Sequence, residues 1–440
     1  MYATSFITLS TTLRAMLSRA ENELLTRVGP GTPMGELLRR FWQPFALGTE
    51  LAGADSDPMR VRLLGEDLVA FRDTAGTIGL VAANCPHRGA SLFFGRNEES
   101  GLRCVYHGWK FDTTGRCIDM PNEPAESDFK QKVKATAYPS VERGGVVWAY
   151  LGPAADVPRL PELEWTHVPE SHRYVTKRIQ ACNFLQNVEG EVDSSHVSFL
   201  HSKGAAAASA GIQDLRSTLP DYMARDRAPR FHVLPTEYGL AIGARRDAEV
   251  DSYYWRITQF LMPTYTMIPV PVGQPVSFTA ATPIDDERMM GFTVTWHPDR
   301  PLSNDERAQI ESWLGVHTEV HPATFEPLRN KGNDYLVDRA LQRSGRSYTG
   351  IRGIREEDLA VQESMGAIFD RTDEHLGTSD LAVIAMRRRL LEAVAALAER
   401  GEVPYEAGNP DRYRVRSAAL VLPRDVAWNE GAADALLARV

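Results

Sequence analysis

The chain has 440 residues, a length that suggests two or three domains, and its 43% hydrophobic and 24% charged residues are those of an ordinary globular protein. Forty-nine basic residues against fifty-eight acidic ones give a net charge of −9, which argues against a nucleic-acid binder, because that needs a basic surface to release counterions from phosphate. Four cysteines are too few for a disulfide framework, yet enough for a metal site.

In chain order, residues 1–20 read as an N-terminal extension without the basic start, apolar centre and cleavage site of a signal peptide. No apolar run of about eighteen residues follows anywhere, so no membrane span is expected and a reducing, cytoplasmic setting is. Residues 21–44 form a helical lead-in, in which Thr32 is placed to cap a short helix and Pro33 suits its first position. Residues 45–152 read as an all-β domain, with short apolar runs at 60–64, 67–72 and 145–150 between turn residues. The Pro-rich stretch 152–161 is a boundary.

Residues 153–440 then read as an α+β domain. The expected elements are a largely helical segment at 179–201, an Ala/Gly/Ser loop at 205–210, strands at 239–246 and 252–262, and more strand through 276–296. A helix is expected at 303–314, where Ser303 and Glu306 have capping-box spacing. Another should run over 380–400, capped by Ser379 and stopped by Gly401.

The all-β domain carries Cys85-Pro86-His87 and, after sixteen intervening residues, Cys104-Val105-Tyr106-His107. Two loops that each offer one thiolate and one imidazole match a Rieske [2Fe–2S] centre, in which two cysteines hold one iron and two histidines the other. A tetrahedral zinc site is the competitor. Iron is favoured because Cys and His alternate, because Gly89 and Gly108 allow tight loops, and because the two loops are equivalent. Cys117 and Cys182 read as buried spectators.

Further on, Asp193, His196 and His201 stand close in sequence. Asp193 and His196 would share a helix face. His196 and His201 would be about 140° apart on a regular helix, so the helix must end, loosen or bulge for both to reach one metal. Two histidines and one remote carboxylate form the facial triad of non-haem Fe(II) oxygenases, with positions left open for O2.

Together, the Cys-x-His, Cys-x2-His and Glu189-x3-Asp193-x2-His196-x4-His201 patterns resemble the oxygenase component of the Rieske non-haem iron aromatic-ring oxygenases. The segments 29–35 and 186–190 are most similar to the phthalate-dioxygenase-type branch. High-potential Rieske proteins carry an additional cysteine in each loop, where this chain has Ala90 and Tyr106, so a lower-potential type is implied. The resemblance implies a helix-grip catalytic domain and a homotrimer or hexamer of one subunit type. It implies Cys85, His87, Cys104 and His107 as cluster ligands, and His196, His201 and Asp358 as ligands of a mononuclear Fe(II). Glu356 and Glu357 compete with Asp358 or form a solvated acidic helix start. Asp193 is implied as a bridge between His196 and His107 of a neighbouring subunit. A separate flavin and iron–sulfur reductase would bring electrons from NADH.

A small aromatic carboxylate, of phthalate, isophthalate or substituted benzoate type, is the expected substrate, and arginine suits a carboxylate. Arg245, Arg246 and Arg256 lie on the strands after the histidines, with at most one of Arg245 and Arg246 facing inward. Ser194 could also reach the substrate. Phe184, Phe199, Tyr253, Trp255, Phe260 and Trp296 read as core, and His297, His317 and His321 as surface histidines. The alternatives are a monooxygenase or O-demethylase of the same family, and a Rieske electron carrier without catalysis of its own.

Overall fold

The computed structural model describes residues 16–124, 126–202 and 222–439; most of the expected N-terminal extension and the 205–210 loop lie outside them. The chain forms two compact units: residues 27–160 with 282–286, and residues 161–281 with 287–440 and the N-terminal segment up to Thr26.

The smaller unit opens with the helix Pro33–Arg39, whose N-cap Thr32 accepts from Gly35 N at 3.2 Å with Pro33 in the first turn. Three antiparallel sheets follow. The first is β1 (Trp42–Leu47) with β10 (Val146–Tyr150) and β9 (Ser140–Arg143). The second is β2 (Met59–Leu63), β3 (Glu66–Arg72) and β4 (Ile78–Ala82). The third is β5 (Arg96–Glu98), β6 (Gly101–Arg103), β7 (Lys110–Phe111) and β8 (Cys117–Asp119). One buried cluster, with Phe71, Leu92, Leu102, Trp109 and Phe111, also encloses Cys85 and Cys104, so the thiols sit at the edge of the unit's core.

The larger unit is built on an eight-stranded antiparallel sheet. Its strands are β11 (Arg173–Gln180), β12 (Arg230–Thr236), β13 (Gly239–Asp247), β14 (Ser252–Leu261), β15 (Tyr265–Met267), β16 (Val276–Pro283), β17 (Met289–Trp296) and β18 (Ala418–Pro423). The order is β11-β17-β16-β15-β14-β13-β12, with β18 paired to the first half of β14 and β15 to its end. Helices Phe184–Val192 and Leu381–Arg400 contact this sheet, and the former also contacts helix Ile354–Ser364. The α+β class is therefore as expected.

Two expected elements differ, and the strand material expected at 276–296 is present. Residues 179–201 are not one helix: Ile179 and Gln180 complete β11 against Met290 and Met289, a helix occupies only Phe184–Val192, and a short 3-10 turn follows at His196–Ser198. Sheet pairing with a distant strand overrides the local pattern there. The strand material at 276–296 is two strands, β16 and β17. The helix Leu381–Arg400 ends on Gly401 in the left-handed region (φ 67°), as the sequence indicates, but its N-cap is Asp380, with no side-chain bond to the helix. The helix Asn304–Glu311 carries the expected capping box, with Ser303 Oγ accepting from Glu306 N and the Glu306 carboxylate from Ser303 N.

Candidate functional site

The smaller unit presents its four candidate ligands on two loops with the same backbone design. In each, the cysteine carbonyl accepts from a glycine N–H four residues on: Gly89 to Cys85 at 2.9 Å, and Gly108 to Cys104 at 3.0 Å. In each, the cysteine N–H donates to the carbonyl of the residue after that glycine, Ala90 or Trp109, at 2.8 Å. Both glycines have positive φ, 73° and 80°, a conformation that costs a side-chain-bearing residue on the order of 1 kcal/mol.

The loops bring like ligands together. The rings of His87 and His107 lie 4.5 Å apart, and His87 stacks on Trp109 at 4.2 Å. Burial, with the Cys104 sulfur close by, pushes the Cys85 thiol up to about 11. Such thiols are inert alone and become thiolates only against a metal. His107 Nδ1 is buried without a hydrogen-bond partner, a lone pair aimed at nothing in the protein. Desolvation, with His87 and Arg88 close by, holds the His107 pKa below its ordinary value. Two thiols and two imidazoles on paired loops fit a [2Fe–2S] cluster. Cys117 and Cys182 are buried and free. Cys117 lies in the same core cluster as Cys85, and its sulfur approaches Asp119 O at 3.4 Å.

In the larger unit, the helix Phe184–Val192 stops because Asp193 leaves the helical region (φ −82°, ψ 108°) and its carboxylate accepts from Ser195 N at 2.6 Å and His196 N at 3.3 Å. That Asx-type turn replaces the shared helix face expected of Asp193 and His196. It swings His196 round, so that its ring comes within 5.1 Å of the His201 ring. Asp358 arrives from the first turns of helix Ile354–Ser364, which starts after Gly353 (φ 102°). A Cβ at Gly353 would lie 2.1 Å from a Glu356 oxygen and 2.9 Å from Trp313 O, so only glycine fits. The two ligand-bearing helices approach closely at Gly190, where a Cβ would meet Gln362 Nε2 at 2.4 Å.

The outcome is one converging set: ligand atoms of His196, His201 and Asp358 all lie within 4.8 Å of one another. Asp358 Oδ1 is 3.0 Å from His201 Nε2 and 3.7 Å from His196 Nε2. The Nδ1 atoms face other carboxylates, His196 towards Asp193 at 3.3 Å and His201 towards Glu357 at 2.7 Å. Burial alone would lower the His201 pKa, but Asp358 and Glu357 outweigh it and raise the ring to about 9. Burial would likewise raise the Asp358 carboxyl, and His201, Arg355 and His196 hold it well below the usual range. Clustered carboxylates that draw positive charge onto a buried imidazole fit a divalent cation, and two imidazoles with one carboxylate are the ligand set of non-haem Fe(II) sites.

A cavity opens beside these three residues, lined by Ser194, Arg256 and Thr258 and by the apolar Ile268, Pro269, Val316 and Ile354. Arg256 Nε donates to Ser194 Oγ at 3.2 Å. Arg355 also lines the cavity but is engaged with Glu191 at 2.5 Å and Asp358 at 3.5 Å. Arg246 shares the Arg256 face of the sheet, where it is fully buried and donates to Ser194 O at 2.8 Å and Ser198 Oγ at 3.2 Å; it braces the histidine turn from behind. Arg245 pairs with Trp255 in register, on the opposite face, and stacks over Tyr253 at 4.2 Å. Neither Arg245 nor Arg246 lines the cavity.

Other expectations are corrected here. Glu356 and Glu357 are buried: Glu356 accepts from Thr318 Oγ1 at 2.7 Å and burial pushes it up to about 7, while Glu357 accepts from Thr349 Oγ1 at 2.6 Å. His317 is buried with both ring nitrogens on hydroxyls, Thr176 at 2.7 Å and Thr295 at 2.9 Å; burial and two nearby arginines lower it to about 3. His297 is buried too, with Nδ1 accepting from Asp299 N, whereas His321 is exposed as expected. Phe199 is exposed, and Tyr253 is only half-buried; the other four named aromatics are core. Among the described residues no helix is long and apolar enough to cross a membrane.

An all-β unit with a Cys/His pair on each of two loops, and in the same chain an α+β unit with a two-histidine, one-carboxylate set, define a Rieske-type oxygenase architecture. Residues 41–139 match the Rieske [2Fe-2S] domain and residues 149–438 the LigXa C-terminal domain like family. The chain is 39% identical to the 3-chlorobenzoate-3,4-dioxygenase oxygenase subunit of Comamonas testosteroni, over 93% of this chain and 96% of that one. It is also 39% identical to the phthalate 4,5-dioxygenase oxygenase subunit of Pseudomonas putida, over 94% of each chain. Among solved structures, NdmA of Pseudomonas putida CBB5 shares the fold, with a TM-score of 0.56 at 21% identity over 85% of this chain and 96% of its own. The chain belongs to the Rieske non-haem iron oxygenases, in the branch of the phthalate-type dioxygenases.

Proposed function

We propose that this oxygenase component cis-dihydroxylates a small aromatic carboxylate, with His196, His201 and Asp358 holding the mononuclear Fe(II) and Cys85, His87, Cys104 and His107 the cluster. The observation that carries the substrate reading is Arg256. Among the described residues, it is the arginine of the cavity lining that has no carboxylate partner, and it lines the same cavity as the metal-ligand set. A guanidinium fork beside a hydroxyl matches a carboxylate, so Arg256 and Ser194 anchor the substrate's charged end. Ile268, Pro269, Val316 and Ile354 then cover the ring and exclude water from the reacting carbon. The names of the two 39%-identical relatives, which act on 3-chlorobenzoate and phthalate, support the same substrate class.

When bound, the cluster supplies single electrons and the mononuclear iron the O2 chemistry. The protein's own part is positional. Asp193 keeps a proton on His196 Nδ1, so that Nε2 is the free ligand atom. Its second role, as a bridge to His107 of a neighbouring subunit in a homotrimer or hexamer, would carry electrons across that interface. A flavin and iron–sulfur reductase using NADH is the proposed donor.

Coupled NADH oxidation against phthalate, isophthalate, chlorobenzoates and a methoxybenzoate, with ¹⁸O2 product analysis, tests the reading. A dihydrodiol with two labelled atoms is expected. Formaldehyde release with no labelled atom in the aromatic product would instead make the chain an O-demethylase, and no carboxylate-dependent turnover would remove the substrate class.

A further inference from the structure

The two candidate iron-binding histidines are each backed by a carboxylate, and the two carboxylates are set differently. Asp193 lies 3.3 Å from His196 Nδ1, in a turn where both side chains are about a quarter exposed (25% and 23%). Glu357 lies 2.7 Å from His201 Nδ1, and both side chains are 3% exposed or less. The remaining oxygen of Glu357 accepts from Thr349 Oγ1 at 2.6 Å. Thr349 is itself held, because its Oγ1 accepts from Ile351 N at 3.0 Å. Both Glu357 oxygens are therefore engaged, one by the imidazole and one by the hydroxyl. Glu357 also precedes Asp358, so one helical turn delivers a ligand and the group behind another ligand.

A buried anion against Nδ1 keeps the proton there, leaves the lone pair on Nε2 and makes the ring a stronger donor to a metal. That Nε2 is the atom which faces Asp358 Oδ1 at 3.0 Å. We propose that Glu357, held by Thr349, is a positioning residue that fixes the tautomer and raises the basicity of His201, and so governs how tightly the mononuclear metal is kept. Asp193 contributes little to retention, since its bond to His196 is longer and open to water, which weakens a charged contact. The inference rests on the ligand assignment of His196, His201 and Asp358, and is independent of the substrate.

The test is Fe(II) affinity, measured anaerobically on full-length protein stripped of its mononuclear metal, by competition with a chromophoric chelator. Glu357→Gln preserves shape and can still accept from the imidazole through Oε1 while its Nε2 donates to Thr349 Oγ1, but it removes the charge. We expect it to weaken Fe(II) binding by roughly 10-fold and Glu357→Ala by up to about 100-fold, with cluster absorbance unchanged. Thr349→Val should fall between wild type and Glu357→Gln, and Asp193→Asn should stay near wild type. A packing role alone would leave the isosteric Glu357→Gln at wild-type affinity, and that result overturns the proposal. Should the Glu357 variants fail to fold, Thr349→Val decides, because it exchanges only a hydroxyl for a methyl: weaker binding supports the role and unchanged binding refutes it. His201→Ala is the control. If it keeps the metal, the ligand assignment fails; if it loses the metal while Glu357→Gln does not, only the role of Glu357 fails.

Discussion

The proposed cluster ligands of the smaller unit all arise between Cys85 and His107, on two loops that repeat one backbone pattern around Gly89 and Gly108. The proposed mononuclear ligands of the larger unit arise from the turn after one helix and from the start of another, with Asp358 far along the chain from His201. The first set is fixed by local hydrogen bonds and left-handed glycines. The second exists only once two helices have docked, through the Gly190–Gln362 approach and a buried amide network in which Gln180 donates to Gln362 at 2.7 Å and Asn187 at 3.2 Å. The difference teaches that packing changes should act on one metal and spare the other.

The largest effect expected is from His196→Ala, which should remove the mononuclear iron and abolish turnover while the cluster's visible spectrum stays intact. Loss of the cluster as well would break the contrast between a local and an assembled site. Next comes Asp193→Asn, for which both metals should be retained and turnover fall on the order of 100-fold or more, measured as substrate-dependent NADH oxidation. Normal turnover would remove the bridging role.

Arg256→Ala should lower kcat/KM by roughly 10- to 150-fold, the cost of about 1.5–3 kcal/mol for a charged hydrogen bond, and should do so mainly through KM. Arg245→Ala, on the other face of the sheet, should leave kcat/KM unchanged. Gly190→Ala should destabilise the larger unit by about 1–3 kcal/mol through overpacking against Gln362, and weaken iron binding without altering the cluster.

The smallest effect belongs to a helix cap that carries none of the proposed metal ligands. Ser303→Ala should cost about 1 kcal/mol in thermal unfolding and move neither metal. The Glu306 carboxyl in that capping box is lowered to about 2, chiefly by its hydrogen bonds from Arg300. Its folded pKa lies below the unfolded value, so its contribution is fully present above about pH 4.5 and is lost as the pH falls towards 2. The wild-type advantage over Glu306→Gln should shrink across that window.

Legibility followed the same division. The cluster pattern falls within one short stretch of sequence, and the spacing of its two loops is enough to show them as equivalent. The turn at Asp193 is not legible in that way. Sequence spacing allows a helix through His196, and only the capture of Ser195 N and His196 N by the Asp193 carboxylate ends it. Among three consecutive acids, helical phase separates the roles, since each residue turns by about 100°. Asp358 meets both histidines, Glu357 meets the back of one, and Glu356 turns to Thr318. Their burial was not legible, because acidic residues in a first turn are ordinarily solvated caps. His317 reads as a surface histidine for a related reason: its partners Thr176 and Thr295 lie on β11 and β17, which only the sheet brings together.

The account stands most directly on iron stoichiometry in paired variants. Wild-type protein should hold about three irons per chain, two in the cluster and one mononuclear. Asp358→Ala should hold about two, with an unchanged cluster absorption spectrum. If Asp358→Ala kept all three irons, or if wild type held only the two of a cluster, the assembled site would not be an iron site and the reading of this chain as a complete oxygenase would be contradicted.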